Sequence, residues 1–154
     1  MELILWRHAE AEIGEPDLGR KLTPRGEKQA RRSAEWLHAN LPDSARIYVS
    51  PATRAQQTAQ ALADLSPRKF RTVEQIAPGA SVQDVLAAVD WPSAKSPIVI
   101  VGHQPTLGQV ASWLVAGEEQ DWSVKKSGIW WLSSRERDGT EQIIVRAVIN
   151  PDMA

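Results

Sequence analysis

Leu3-Ile4-Leu5-Trp6-Arg7-His8 is an apolar run that ends on a cation and an imidazole. Four consecutive apolar residues indicate a buried strand of a parallel sheet. In open α/β sheets, ligands bind beyond the carboxyl ends of the strands, which is where Arg7 and His8 fall. A guanidinium beside a possible nucleophile suggests a phosphoryl site at that place. The alternative is a strand end that happens to carry two polar residues, and this stretch alone does not exclude it.

Short apolar segments alternate with helical patterns along the rest of the chain, which predicts an α/β fold. Further strands are expected at residues 46–49, 71–76, 98–101, 129–133 and 142–149. Helices are expected to begin at Thr23-Pro24, Ser50-Pro51, Ser81 and Pro105. The turn signal Asp138-Gly139 joins the last two strands as a hairpin. The pattern predicts a three-layer α/β/α sandwich whose sheet is mostly parallel with an antiparallel edge.

The composition bounds the domain organisation and the class of partner. A length of 154 residues allows one domain, expected to span residues 1–154, and no comfortable second one. The 18 Lys and Arg and the 19 Asp and Glu give a net charge of −1, which disfavours nucleic acid and anionic membranes as partners. Because the chain has no cysteine, a disulfide, a thiolate metal site and a cysteine nucleophile are excluded. With no signal-peptide pattern and no membrane-length apolar stretch, a cytoplasmic location is expected.

Four polar side chains follow the ends of predicted strands, namely Arg7, His8, Arg54 and His103. Because parallel strands end at the same edge of a sheet, these side chains are expected to surround one hole. Two arginines suit a dianionic tetrahedral group, to which the amides of the helix at Ser50-Pro51 would add. One imidazole would attack phosphorus and the other would donate to an oxygen, but the spacing does not decide which one attacks.

A metal site is the main alternative use of two histidines. Zinc usually needs at least three protein ligands, and Glu10 is the candidate third. The cations Arg7 and Arg54 would oppose a metal electrostatically, and metal sites normally collect carboxylates and thiolates. We therefore expect neither a metal nor another cofactor. His38, late in a predicted helix, is expected to be an exposed cation at the helix end.

Five segments resemble the histidine phosphatase superfamily, in the expected order. Residues 5–9 resemble its R-H-G signature, and residues 22–26 resemble its L-T-x-x-G helix start. Residues 50–59 resemble its S-P-x-x-R-x-x-Q-T-A segment, and residues 101–103 match its later G-H strand end. The small size and the H-x-P-x-x-G pattern at 103–108 are similar to the SixA-like branch, whose members are bacterial protein phosphohistidine phosphatases.

The resemblance implies a phosphoglycerate mutase-like fold without a cap insertion and a metal-independent phosphatase. His8 would be the nucleophile that becomes transiently phosphorylated. Arg7, Arg54 and His103 would form the phosphate pocket, and Arg20 would lie near its mouth. The implied substrate is phosphohistidine on a partner protein, such as a histidine phosphotransfer-type domain of a signalling relay.

The chain departs from the superfamily pattern in two respects. Ala9 replaces the usual glycine, which adds one methyl group and predicts a slightly tighter turn with intact chemistry. No residue clearly matches the general acid of the larger relatives, since the corresponding region offers only Glu74 and Asp84. Hydrolysis of a phosphate ester expels a poor alkoxide leaving group and profits from a proton donor. Hydrolysis of phosphohistidine expels an imidazole, which depends less on a proton donor. The missing acid and the missing cap insertion both favour a protein phosphohistidine as the substrate.

Two other functions remain compatible with the sequence. A small-molecule phosphomonoesterase would need a proton donor, for which Glu10, Glu12 and Asp84 are the candidates. A catalytically inactive phosphate-binding or protein-interaction module would keep the basic pocket without turnover. The intact set of two arginines and two histidines argues against such a module.

Overall fold

Six strands form one sheet in the computed structural model, which describes all residues from Met1 to Ala154. The strands are β1 (Glu2–Arg7), β2 (Arg46–Val49), β3 (Phe70–Thr72), β4 (Ile98–Gly102), β5 (Ile129–Arg137) and β6 (Thr140–Ile149). Their order across the sheet is β3-β2-β4-β1-β5-β6. The first four strands are parallel, and β5 and β6 pair antiparallel with their neighbours. The predicted antiparallel edge on a mostly parallel sheet is confirmed.

Four helices cover the two faces of this sheet. They are α1 (Pro24–Asn40), α2 (Thr53–Ala63), α3 (Val82–Ala88) and α4 (Thr106–Ala116). Because successive strand residues point to opposite faces, β1 contributes Trp6 to the core under α1 and α2, and Leu5 to the core under α3 and α4. The predicted three-layer sandwich is therefore confirmed. None of the four helices is both long enough and apolar enough to span a bilayer.

Three parallel strands end side by side at one edge of the sheet. The last residues of β1 and β4, Arg7 and Gly102, are paired. The His8 amide donates to the Gly102 carbonyl at 3.0 Å, and the Ser50 amide after β2 donates to the Val101 carbonyl at 3.0 Å. The segments that come after β1, β2 and β4 therefore leave the sheet at the same place.

The helix caps predicted at Thr23 and Ser81 are confirmed. The Thr23 hydroxyl accepts from the Gly26 amide, and the Ser81 hydroxyl accepts from the Asp84 amide, as N-cap residues do. His38 is exposed near the end of α1, as expected.

The strand predicted at 71–76 is wrong in its extent. The strand ends at Thr72, and residues 74–76 form a 3-10 turn instead. Val73 and Ile76 are both buried and lie three residues apart. A strand would point these two side chains to opposite faces, whereas a turn with three residues per repeat buries both on one side.

The predicted start of the second helix is also wrong. Instead of Ser50-Pro51, the helix begins at Thr53 with Ala52 at the N-cap position. The Ser50 hydroxyl accepts from the Ala52 amide at 3.2 Å and contacts the His103 ring, so it does not cap the helix. Ser50 therefore lies directly after the end of β2 and is not part of α2.

Candidate active site

A cavity of about 220 Å³, the His8 cavity, lies at the edge where β1, β2 and β4 end. Five of its nine lining residues are the predicted site residues Arg7, His8, Arg20, Arg54 and His103. The other four are Ala11, Pro78, Gln104 and Lys126. The ring centroids of the two histidines are 5.1 Å apart, so both imidazoles border the same small volume. The structure thus brings together all five predicted side chains from distant parts of the chain.

The hydrogen bond of His8 determines which of its ring nitrogens is free. Nδ1 lies 2.7 Å from the carbonyl oxygen of Ala9, which can only accept, so Nδ1 carries the proton and Nε2 keeps its lone pair. The Ala9 amide donates to the Thr58 hydroxyl at 3.0 Å, which holds this segment in place. Burial, followed by the positive charges of Arg54 and Arg7, lowers the pKa of His8 to about 4. The imidazole is therefore neutral near pH 7, and Nε2 can act as a nucleophile.

His103 bonds through one ring nitrogen to Ser50 and leaves the other without a partner. Nε2 lies 2.7 Å from Ser50 Oγ, whereas Nδ1 is buried and makes no hydrogen bond. Burial, followed by the neighbouring His8 and Arg54, lowers the pKa of His103 to about 3. A neutral imidazole has one N–H, so the direction of the hydrogen bond to Ser50 depends on the tautomer of the ring. A ring that donates from Nδ1 to an anion would accept the Ser50 hydroxyl at Nε2.

Arg54 and Arg7 each keep one buried N–H group without a partner. Arg54 donates through Nη1 to the Asp17 carbonyl at 2.8 Å and through Nη2 to Asp17 Oδ2 at 3.2 Å, but its Nε has no acceptor. Arg7 donates through Nη1 to the Val124 carbonyl at 2.9 Å, and its Nε is also unsatisfied. Buried polar groups without partners are rare in folded proteins. The two guanidinium groups and the His103 imidazole line one small cavity, and this combination suits a tetrahedral oxyanion.

Arg20 borders the cavity but is engaged with its own loop. It donates from Nε to the Glu12 carbonyl at 2.6 Å and from Nη1 to Asp17 Oδ1 at 3.2 Å. Asp17 therefore joins Arg20 to Arg54. The helix predicted to begin at Ser50-Pro51 begins at Thr53, and Arg54 in its first turn lines the cavity. A contribution of its amides to anion binding stays a prediction.

Two glycines of the quoted motifs allow close contacts between a helix and a neighbouring segment near the cavity. At Gly26, a Cβ would lie 2.0 Å from the Glu10 carbonyl oxygen, so glycine lets α1 contact the segment that comes after β1. At Gly108, a Cβ would lie 1.8 Å from the Trp122 carbonyl oxygen, so glycine lets α4 contact the segment that precedes β5. These positions explain why the two motifs require glycine without any glycine touching the cavity.

No carboxylate lines the His8 cavity. Glu10 accepts from the Thr23 hydroxyl at 2.7 Å and lies 3.6 Å from Lys126 Nζ, and Thr23, followed by Lys126, lowers the pKa of Glu10. Asp84 caps α3, where hydrogen bonds from Ser81 lower its pKa. Both carboxylates are therefore ionised near pH 7 and unsuited to donate a proton. No group of three or more His, Asp or Glu side chains is placed to hold a metal ion, and Glu10 is engaged elsewhere.

The sequence patterns do not identify Asp17, Ser50 or Lys126 as residues of this site. Ser50 could have been found, because it ends a strand and opens the S-P-x-x-R-x-x-Q-T-A segment. Asp17 and Lys126 lie in segments without periodicity, so no local signal indicates that they reach the cavity.

Comparison with known proteins identifies the family. Residues 3–78 match the model of the histidine phosphatase superfamily (branch 1). A Haemophilus influenzae protein named phosphohistidine phosphatase SixA homolog is 35% identical over 125 residues, which cover 73% of this chain and 76% of that protein. This chain belongs to the histidine phosphatase superfamily.

One further relative and one solved structure are similar to this chain over most of its length. An uncharacterized Mycobacterium tuberculosis protein is 34% identical over 108 residues, covering 68% of this chain and 66% of that protein. The chain thus spans about two thirds of the length of that relative. A structure of the protein histidine phosphatase SixA complexed with tungstate has the same fold, with a TM-score of 0.82 at 24% identity over 99% of this chain and 98% of that one.

This histidine phosphatase superfamily member accommodates alanine where the R-H-G signature has glycine. Ala9 is fully buried, and it packs with Leu22 and Ala30. Its amide donates to Thr58 and its carbonyl accepts from His8, so the extra methyl group leaves both hydrogen bonds in place.

Proposed function

We propose that this protein is a metal-independent phosphatase that hydrolyses phosphohistidine on a partner protein. The observation that carries the proposal is the convergence of Arg7, Arg54 and His103 on one small cavity that His8 also lines. Three donors suit a transferring phosphoryl group, whose negative charge is spread over its equatorial oxygens. The free Nε2 of His8 supplies the nucleophile.

In the first step, the Nε2 lone pair of His8 attacks phosphorus, and the bond from phosphorus to the substrate imidazole breaks. The departing nitrogen takes the electron pair of that bond. A substrate ring that carries a proton on its other nitrogen leaves as a neutral imidazole, so no proton donor is needed. His8 becomes a phosphoimidazolium whose Nδ1–H stays bonded to the Ala9 carbonyl.

In the second step, water attacks the phosphorus of the phosphorylated His8. The bond from phosphorus to Nε2 breaks, and its electron pair returns to Nε2, which restores the neutral imidazole. The proton of the attacking water passes to solvent, and inorganic phosphate is released. Both steps use the same donors, because the oxygens of the phosphoryl group stay among Arg7, Arg54 and His103.

Two features favour a phosphohistidine over a phosphate ester. The lining of the His8 cavity contains no carboxylate, and an alkoxide leaving group profits strongly from a general acid. The Haemophilus influenzae relative is named a phosphohistidine phosphatase SixA homolog.

The partner is expected to be a histidine phosphotransfer-type domain of a signalling relay. His8, Arg54 and His103 are only 8%, 4% and 4% exposed, so the phosphoryl group must enter a recess to reach them. A phosphorylated imidazole that projects from a protein surface presents its phosphoryl group at the tip of a side chain, as a recessed site requires.

A panel of phosphorylated substrates tests the proposal. We expect kcat/KM for a phosphorylated histidine phosphotransfer domain to exceed that for sugar phosphates and para-nitrophenyl phosphate by at least about 10²-fold, because esters lack a general acid here. Faster turnover of an ester would favour a small-molecule phosphomonoesterase. No turnover of any substrate would favour an inactive phosphate-binding module.

Replacing Ser50 with alanine is expected to lower kcat/KM about tenfold, since a hydrogen bond contributes about 0.5–1.5 kcal/mol and 1.4 kcal/mol is tenfold. Without the hydroxyl, His103 is free to carry its proton on Nε2 and to turn a lone pair toward the anion. The ¹⁵N chemical shifts of His103 in the vanadate complex report this tautomer directly.

Ser112→Ala is the matched control for Ser50→Ala. Ser112 is a fully buried serine of α4 whose hydroxyl is also hydrogen-bonded, but it lies outside the His8 cavity. Its loss should lower stability without changing the His103 tautomer. Unchanged kcat/KM and an unchanged tautomer in Ser50→Ala would remove Ser50 from the mechanism.

A further inference from the structure

A second, larger cavity adjoins the His8 cavity. This basic groove has a volume of about 710 Å³ and no hydrophobic residue in its lining. Six of its ten lining residues are cations, namely Arg7, Arg25, Lys28, Arg32, Lys125 and Lys126. Two of them, Arg7 and Lys126, line both cavities, so the groove lies directly beside the candidate active site.

The groove is built from one face of α1 and from the segment before β5. Arg25, Lys28 and Arg32 are spaced by three and four residues, which places them on one side of the helix. Lys125 and Lys126 lie in a segment that is tied to β1. The Ser127 amide donates to the His8 carbonyl at 3.2 Å, and the Arg7 amide donates to the Gly128 carbonyl at 3.1 Å. These hydrogen bonds hold the wall that carries Lys125 and Lys126 in a fixed position relative to the site.

The positive charge is concentrated here although the whole chain is nearly neutral. Six of the 18 Lys and Arg residues line the basic groove, and Arg20 and Arg54 add two more in the His8 cavity, against a net charge of −1. Acidic groups offset part of it: Asp152 lines the groove, Glu10 pairs with Lys126, and Asp17 pairs with Arg20 and Arg54. The balance at this edge of the molecule remains positive.

Four of the six cations of the groove have no partner within the chain. Arg25, Lys28, Arg32 and Lys125 are exposed, and their side chains make neither an ion pair nor a hydrogen bond within the chain. Like charges three and four residues apart on a helix repel each other and slightly destabilise it. An unpaired cluster of this kind beside a recessed site indicates a binding role for an anionic partner.

We propose that the basic groove binds an acidic surface of the phosphorylated partner protein, next to its phosphohistidine. This proposal rests on the proposed function. A phosphohistidine that enters the His8 cavity brings the surface around it over the adjoining groove, because Arg7 and Lys126 border both. Cations spread over a helix face and a separate segment match an extended acidic surface better than a single small anion. Complementary charge of this kind raises the association rate and selects the partner.

Charge reversal on α1 tests the basic groove. In Lys28→Glu/Arg32→Glu, we expect kcat/KM for a phosphorylated acidic phosphotransfer domain to fall about tenfold or more, because rim charges act on association. Turnover of a small phosphoramidate should not change, since neither residue lines the His8 cavity. The loss should shrink as ionic strength rises from about 0.1 M to about 1 M, where the screening length falls from about 10 Å to about 3 Å.

Arg135→Glu/Arg137→Glu is the matched control. Both arginines are exposed on β5 beyond Ser133, which pairs with Glu2 at the opposite end of β1 from Arg7. This variant has the same net charge as the α1 variant and should turn over the phosphoprotein like the wild type. An equal loss in both variants would assign the effect to net charge and overturn the groove proposal.

The remaining outcomes separate the two proposals. If the wild type does not hydrolyse the phosphoprotein, the proposed function fails and the groove proposal fails with it. If the wild type does so and the α1 variant keeps its full rate, only the groove proposal fails. If tripolyphosphate inhibits the wild type and the α1 variant loses that inhibition while its phosphoprotein turnover stays intact, the groove binds a small polyanion instead.

Discussion

Replacement of His8 with alanine is expected to lower kcat at least about 10³-fold, because removing the nucleophile of a covalent catalyst can cost up to about 10⁶-fold. No other group in the His8 cavity offers a free nitrogen lone pair with a fixed tautomer. Nδ1 of His8 is occupied by the Ala9 carbonyl, and Nε2 of His103 is occupied by Ser50. Rate measurements on the phosphohistidine protein check the loss.

Labelling distinguishes the nucleophile from a donor. After incubation with a ³²P-phosphorylated donor and quenching in alkaline denaturant, which preserves phosphohistidine, the label should reside on His8. His103→Gln should still become labelled, only more slowly, because His103 is expected to bind the phosphoryl oxygens. A labelled His103 together with near-normal turnover in His8→Ala would transfer the nucleophile role to His103.

Replacement of Arg54 with alanine is expected to weaken vanadate binding by about 2–4 kcal/mol, which is roughly 30-fold to 1,000-fold in the inhibition constant. Arg54 is almost fully buried, and its Nε has no partner in the protein. Because Arg54 lines the His8 cavity, its guanidinium can pair with an oxyanion there through charge-assisted hydrogen bonds. Vanadate inhibition of the small-substrate reaction measures the change. Unchanged inhibition would remove Arg54 from the pocket.

Two variants separate the loss of the oxyanion contact from other effects of Arg54→Ala. Arg68 also has a buried, unpartnered Nε, but it donates to backbone carbonyls at the end of α1 and lies outside the His8 cavity. Arg68→Ala should therefore cost stability and leave vanadate binding intact. Asp17→Asn keeps Arg54 but removes the charge that competes with an anion for its guanidinium, so vanadate should bind at least as tightly as to the wild type.

The sequence predicts the frame of the molecule and most of the site, because both depend on buried strands and on the residues at the strand ends. Unbroken apolar runs mark β1 and β4, and the polar residues directly after these two strands meet at one edge. The hydroxyl of Ser50 has the pattern of a helix cap, yet it bonds to His103, a partner 53 residues away. The helix and strand preferences of neighbouring residues do not indicate a contact between residues so far apart in the chain. Asp17 could not be predicted for the same reason, since it contacts Arg54 from a short 3-10 turn that no periodic pattern marks in the sequence.

The acceptor that Ala9 presents to the His8 ring has a chemical consequence for the intermediate. A carbonyl oxygen holds the Nδ1 proton and blocks that nitrogen, so phosphorus has access to Nε2 alone. Any phosphoryl group carried by His8 should therefore exist as a single regioisomer.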